Sequence, residues 1–453
     1  MAFASIAVAL LVTPMQPVSV AGQTVRVGAA APTLSTAGPG ELDLFGQRLP
    51  TAVRFLGPVR PRLALSSITL NRQLGSAFTT SHHGNPRQAI GRALAAGWTR
   101  YFAWETAVAG ACALFLLGAL AGWLRVSWRR TLVLLSAGLV IAEAVNLGGI
   151  MVTAYTAPAR LRGIHSLTAL AGRAAVAPVP PVPGAARPKV QVVVMGDSTA
   201  AGLGNAPLPH PSREDRACHR SADTYATDLA AVSHQRVLNL ACSGATIPAG
   251  LLGPQHTGGT TVPPQLAVAK KATHASAVIV SIGANDVGWS ALLRLCAVSR
   301  ACDNRASVAY FQKRLAAFAV SYYQLLQQLA ALPSHPRVLV NLYYDPFDTS
   351  QHCLDKVGLD SAKEKSLIGL LAALNGVLTK GAQAAGAASA RPDFTGHQLC
   401  DPGPYVQGLH DSAPFHPTPA GELAIALADE HALRHRTAPS QQPQPSGSQP
   451  SPS

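Results

Sequence analysis

Four short stretches of this chain place a chemically capable residue just after an apolar run or just before a helix start. The run Val190–Met195 ends in Gly196-Asp197-Ser198-Thr199. A serine at such a strand-to-helix turn has an exposed hydroxyl and a backbone N–H near the positive helix end. Asp-Ser is equally an ordinary helix cap, so this stretch decides nothing alone. A second run ends in Ala241-Cys242-Ser243-Gly244-Ala245. Glycine there lets the backbone approach a ligand and aim an N–H at it, or simply makes a turn. A third ends in Gly283-Ala284-Asn285-Asp286, whose Asn285 amide can donate to an oxyanion or serve a turn. His416, in Phe415-His416-Pro417-Thr418-Pro419, immediately precedes a helix start, where a capping or surface histidine would look the same. Each signal is ordinary by itself; all four in this order are hard to obtain by chance.

Those positions need a scaffold. Val190–Met195, Arg236–Ala241, Ala277–Ile282 and Arg337–Leu342 are short, apolar and β-branched, as buried parallel strands are. Thr224–Val232, Pro264–Lys271, Ser307–Leu332, Ser361–Ala385 and Pro419–Arg434 read as the helices between them. The alternation predicts an α/β domain over residues 190–436 with a doubly wound, mostly parallel sheet. In such sheets the sites form at the carboxyl ends of the strands, where the four stretches lie.

The stretch from Val190 to about Arg436 resembles the SGNH (GDSL-type) hydrolases, whose four blocks bring a Ser, a Gly, an Asn and a His into one site. Gly283-Ala284-Asn285-Asp286 and His416-Pro417 carry the resemblance most specifically. It implies a flavodoxin-like fold and a serine ester hydrolase, an esterase or lipase, nearest to secreted actinobacterial enzymes with three disulfides. It also implies that Ser198 is the nucleophile and that His416 is general base, then acid. The N–H groups of Ser198 and Gly244 and the Asn285 amide would form the oxyanion hole. A serine hydroxyl attacks only once a base removes its proton, and each oxyanion donor is worth ~3–4 kcal/mol in the transition state. The family usually carries an Asp three residues before the His; here that position is Ala413, and the nearest acid is Asp411. Either Asp411 reaches His416 through a bulge, or a main-chain carbonyl near Ala413 or Pro414 orients the imidazole. The longer spacing and the φ restriction at Pro414 favour the carbonyl. The first block reads Gly-Asp-Ser-Thr instead of Gly-Asp-Ser-Leu, which leaves the nucleophile in place. Asp197 is expected to fix its turn through backbone N–H groups. Asp286 and Trp289 are candidates for the cleft wall or for a structural role, and the region of His210 and His219 reads as a loop at the rim.

Outside this domain the composition points to lipid. Only 13% of the 453 residues are charged, and mean hydropathy is +0.19. Residues 1–21 read as a signal peptide or a first membrane helix, although no basic residue precedes the apolar stretch. Residues 103–124 and 131–155 are each long enough to cross ~30 Å of hydrocarbon. Arg125, Arg129 and Arg130 fill the connection, which places it in the cytoplasm and everything after about residue 156 outside. Residues 22–100, with the alternating runs Gln23–Val27, Glu41–Phe45 and Leu63–Leu70, read as a small β-rich extracytoplasmic region. The Pro-rich residues 176–189 read as an extended tether of roughly 40 Å, and 437–453 as disordered.

Of seven cysteines, Cys112 falls in a membrane segment, and six fall in the part placed outside, which predicts disulfides. Nearest-neighbour pairing gives Cys218–Cys242, Cys296–Cys302 and Cys353–Cys400. A zinc site lacks the CxxC or HxxxH spacing, and no cofactor is required. The net charge of +14 is scattered without a nucleic-acid motif and suits anionic lipid or cell-wall polymer better. The expected partners are an acyl ester, on a lipid or an acylated glycan, and membrane lipid. Two other functions stay open: a transacylase that passes the acyl group to a sugar or lipid hydroxyl, and a non-catalytic wall-binding module.

Overall fold

The computed structural model describes residues 1–20, 23–31, 35, 37–57, 59–68, 86–161, 164, 167–174, 179–180 and 182–435. After helix α1 (Ala2–Val12) come strands β1 (Gln16–Val20), β2 (Gln23–Ala29), β3 (Ala37–Leu44), β4 (Gln47–Leu56) and β5 (Pro61–Ile68). They form one sheet in the order β1-β2-β5-β3-β4, antiparallel except for β3 beside β5. Along β3 every second residue is buried, the period of two that a one-sided sheet requires. The described residues 1–20 of the first apolar segment are not one helix: α1 stops at Val12, and Gln16–Val20 is an edge strand. Thr69 and Leu70, the end of the third expected run, lie outside the described residues.

Two long helices, α2 (Pro86–Trp123) and α3 (Trp128–Leu161), make an antiparallel hairpin. Both extend beyond the apolar segments 103–124 and 131–155, because their outer ends continue as packing helices on the sheet. Trp98 Nε1 donates to the Gly28 carbonyl at 3.1 Å, and Thr153 Oγ1 donates to the Val59 carbonyl at 2.6 Å. Beyond those contacts, apolar side chains point outward: Phe115 is 75% and Val133 68% exposed. Arg92–Trp123 and Trp128–Ala157 are long and apolar enough to cross a membrane, each with a mean hydropathy of 1.8. Ser361–Ala384 passes the same test, but half of its apolar window is buried, and it is a core helix of the next domain.

Helix α4 (Leu167–Leu170) and the tether lead into the α/β domain. Val179 is buried, its N–H donates to Gln328 Oε1 at 2.9 Å, and its carbonyl accepts from Lys270 Nζ. The described part of the expected tether is thus laid along the domain by side-chain bonds to its backbone; residues 176–178 and 181, like 437–453, lie outside the described residues.

The domain's sheet contains β6 (Val192–Gly196), β7 (Val237–Asn239), β10 (Ala277–Ser281), β11 (Arg337–Asn341) and β12 (Ala388–Ala390), all parallel, in the order β12-β11-β10-β6-β7. Every residue of β6 and β10 is buried, which is why both read as unbroken apolar runs. Strands β8 (Gln255–Thr257) and β9 (Thr260–Val262) form a separate hairpin. The helices are α5 (Ser198–Ala201), α6 (Arg213–Cys218), α7 (Tyr225–Ser233), α8 (Gln265–Ala269), α9 (Ala284–Val287), α10 (Trp289–Val298), α11 (Arg305–Ala330), α12 (Ser361–Ala384) and α13 (Pro419–Arg434). The expected strands and helices are all present, with ends moved by a few residues. The β8–β9 hairpin, β12 and α10 had no sequence expectation, and α6, capped by Ser212, stands within the region of His210 and His219 that the sequence reads as a loop. Cysteines pair as 218–242, 296–302 and 353–400, and Cys112 is free.

Candidate active site

Ser198 is the first residue of α5, directly after β6. Asp197 caps the helix by accepting the Thr199 N–H at 3.1 Å, and Gly202 closes it in the left-handed region at φ +68. A side chain at Gly196 would run into the Ser281 carbonyl, so the strand can turn this close to β10 only with glycine. The turn is fully buried at Asp197 and partly open at Ser198. Burial pushes the Asp197 carboxyl up to about 6, opposed by the Thr199 N–H and the Tyr343 hydroxyl. Asp197 therefore works as a turn brace and does not reach the imidazole.

The donors converge from two further strand ends. Gly244 has φ +79, a conformation costly for any side chain, and its N–H and that of Ser198 have no acceptor among the described residues. Gln255 Nε2 holds the neighbouring Ser243 carbonyl at 2.8 Å, and the Cys218–Cys242 disulfide anchors the same loop. Asn285, in α9, donates one amide hydrogen to the Ala245 carbonyl at 3.0 Å, which fixes its plane and leaves the second hydrogen for a ligand. Asp286 turns the other way. Its carboxylate accepts the Ile247 N–H at 3.1 Å and braces the Gly244 loop, so its role is positional. Burial lifts its pKa to about 7, against that N–H bond, with Asp197 adding to the rise.

His416 completes the set. Its Nε2 is 2.9 Å from Ser198 Oγ, and its Nδ1 is 3.2 Å from the Pro414 carbonyl. A carbonyl can only accept, so Nδ1 carries the proton and Nε2 is left as the base. Burial holds the imidazole below the ordinary histidine value, partly offset by bonds to the Pro414 and Ala413 backbone, which keeps it neutral at neutral pH. Phe415 takes a strained φ of +67 in this loop, held by its carbonyl accepting from Tyr344 Oη at 2.8 Å. Asp411 is exposed and accepts the Gly408 N–H at 2.6 Å. It is turned into its own loop. Trp289 begins α10 and is half-buried against the core, while His210 and His219 are exposed and bond to no site residue among those described.

Several supporting residues escaped the sequence reading. Tyr343 Oη donates to Asp197 at 2.9 Å and accepts the Ala284 N–H at 2.8 Å, tying the serine turn to the Asn285 helix. Gln407 Nε2 donates to the Leu203 carbonyl at 2.8 Å and the Pro417 carbonyl at 3.0 Å, joining the histidine loop to the serine loop. Gln265 brackets Gly196 with a bond to its N–H and another to its carbonyl. Each bonds a group far away in the chain, the Asp197 carboxylate 146 residues from Tyr343 and the Leu203 carbonyl 204 residues from Gln407, so no local spacing could reveal it.

Residues 194–424 match the family described as GDSL-like Lipase/Acylhydrolase. Lipase 1 of Streptomyces coelicolor is 28% identical over 243 residues, which cover 51% of this chain and 81% of that protein. Among solved structures, the extracellular lipase of Streptomyces rimosus is similar at 23% identity, covering 54% of this chain and 98% of its own, with a TM-score of 0.40. Phospholipase A1 of Streptomyces albidoflavus is similar at 21% identity over 54% and 98%, with a TM-score of 0.38. The family match spans half of the chain and contains Ser198, Gly244, Asn285 and His416, and by it the chain belongs to the GDSL-like lipase/acylhydrolase family of carboxylic-ester hydrolases.

Proposed function

We propose that this hydrolase is anchored by the α2–α3 hairpin, holds its catalytic domain outside the cytoplasm, and works through an acyl-enzyme on Ser198. The observation that carries the reading is the Ser198 Oγ to His416 Nε2 distance of 2.9 Å, with the opposite ring nitrogen on the Pro414 carbonyl. His416 takes the hydroxyl proton as Oγ attacks the ester carbonyl, then returns it to the leaving alkoxide; water, activated the same way, releases the acid. The Ser198 and Gly244 N–H groups and the free Asn285 hydrogen receive the oxyanion. The Pro414 carbonyl takes the orienting part that a carboxylate has in a Ser-His-Asp triad. Three disulfides in the α/β domain support an oxidising compartment, and the arginines at the α2–α3 turn support a cytoplasmic turn.

Fluorophosphonate labelling followed by turnover of p-nitrophenyl esters tests the reading. The wild-type chain should label at Ser198 and hydrolyse the esters, and Ser198→Ala should lose both while keeping its fold. Ser198→Ala activity within tenfold of wild type would refute the assignment.

A further inference from the structure

The apolar hairpin packs on the N-terminal sheet, and the sheet in turn packs on α11 and α12 of the hydrolase. Exposed aromatics mark two levels on the hairpin: Trp104 (62%) and Tyr155 (81%) toward the sheet, Trp123 (80%) and Trp128 (69%) at the turn. Trp104 to Trp123 is ~29 Å of helix, the thickness of a hydrocarbon core, and such belts sit at its two interfaces. At the outer level Thr153 Oγ1 holds the Leu56 and Val59 carbonyls, at the end of β4. From Gly57 back to the Phe45-Gly46 turn, β4 spans ~35 Å.

At that turn the Phe45 ring meets Tyr322 edge-on at 5.6 Å, and Lys380 Nζ lies over Gly46. Tyr322 and Lys380 belong to the carboxyl-terminal halves of α11 and α12, which run back toward the amino ends of the strands. The tether follows the same side, with Ala174 on Gln324, Val179 on Gln328 and Pro183 on Lys271. Arg314, ~12 Å up α11 from Tyr322, donates instead to the Asn285 and Asp286 carbonyls at the site.

We infer that the site faces away from the anchoring bilayer, on the order of 40 Å above it, and that its substrate is an acyl ester on a hydrophilic, bilayer-distal carrier of the acylated-polysaccharide class. This rests on the proposed anchoring and ester hydrolysis. A phospholipid of the same membrane keeps its ester at the interface. Lifting it to the site would bare both acyl chains to water, and the penalty, which grows with every methylene exposed, opposes that route.

The test uses the full chain in proteoliposomes, with fluorophosphonate labelling as the separate check on Ser198 chemistry. Acetylated xylan in the aqueous phase should be deacetylated. A fluorogenic phospholipid in the same vesicles should be cleaved at least about 100-fold more slowly than in detergent micelles, where lipid is free to reach the site. Equal rates in vesicles and micelles, or intact xylan beside cleaved vesicle lipid, would overturn the inference. A readout independent of turnover uses a fluorophore on Arg54→Cys or His410→Cys, in a Cys112→Ala background, with an acceptor in the bilayer. Energy transfer should be strong from position 54 and lost from position 410, and strong transfer from both would place the site on the membrane. Loss of labelling and of all ester turnover would sink the hydrolase reading and leave the orientation to this measurement.

Discussion

The imidazole of His416 is held by a main-chain carbonyl where this fold more often uses a carboxylate, and that difference can be measured. Asp411 points to Gly408, so Asp411→Asn should reduce kcat/KM by less than about tenfold, because no charge is removed from the imidazole. A loss beyond ~10³ with the fold intact would make Asp411 a triad member. The pH profile follows from the same environment. Only the neutral imidazole can act as base, and burial lowers its pKa, so activity should rise with pH through a midpoint below the ordinary value of about 6.5. A midpoint above that value would mean a negative group faces the ring. Asn285→Ala should cost ~10²–10³ in kcat with a smaller change in KM, as for a donor that bonds the oxyanion more strongly than the ground state.

The elements that deliver these residues owe their precision to a few cross-ties. The Cys353–Cys400 bridge closes a 47-residue separation between two rim loops, which Gln398 Nε2 also joins through the Phe347 carbonyl at 2.9 Å. Phe347 in turn packs on Phe415, the strained neighbour of His416. The paired replacement Cys353→Ser with Cys400→Ser should lower stability by about 2–4 kcal/mol, read as a drop in the denaturant midpoint of the detergent-solubilised chain. Activity under native conditions should fall as well, because the loop carrying the base loses its outer support. An unchanged midpoint would show that the loops are held without the bridge.

Across the whole molecule, charge and hydropathy are divided between the two halves. Residues 190–435 carry 18 Lys and Arg against 18 Asp and Glu, so the net charge of +14 comes from the rest of the chain. The basic character belongs to the part of the chain that holds the apolar hairpin, where the proposed anchoring would set it against anionic lipid headgroups, and the α/β domain itself carries no net charge. The proposed topology has a direct readout. A reporter fused after Ser453 should be active only if it works outside the cytoplasm, and one inserted at Val126 only if it works inside. The opposite pattern would invert the anchor and leave the disulfides in a reducing compartment.

The sequence by itself marked the main strands and helices of the α/β domain and pointed to four candidate residues, Ser198, Gly244, Asn285 and His416, at their ends. Buried parallel strands must be apolar along their whole length, as Val192–Met195 and Ala277–Val280 are, and the residues that follow such strands must lie at the sheet's carboxyl edge. The apolar helical hairpin was legible for a similar reason, since the hydropathy of a segment is its own property and needs no partner. Only the tertiary structure decided which group holds His416, because the four residues between Asp411 and His416 can fold either way. It also decided that Asp286 braces a loop, that Val179 is pinned by Gln328 and Lys270, and that Tyr343 and Gln407 lock the site together. Those are contacts between residues tens to hundreds of positions apart. A polar side chain that bonds a group far along the chain leaves no periodicity to read, and its existence depends on how whole elements pack.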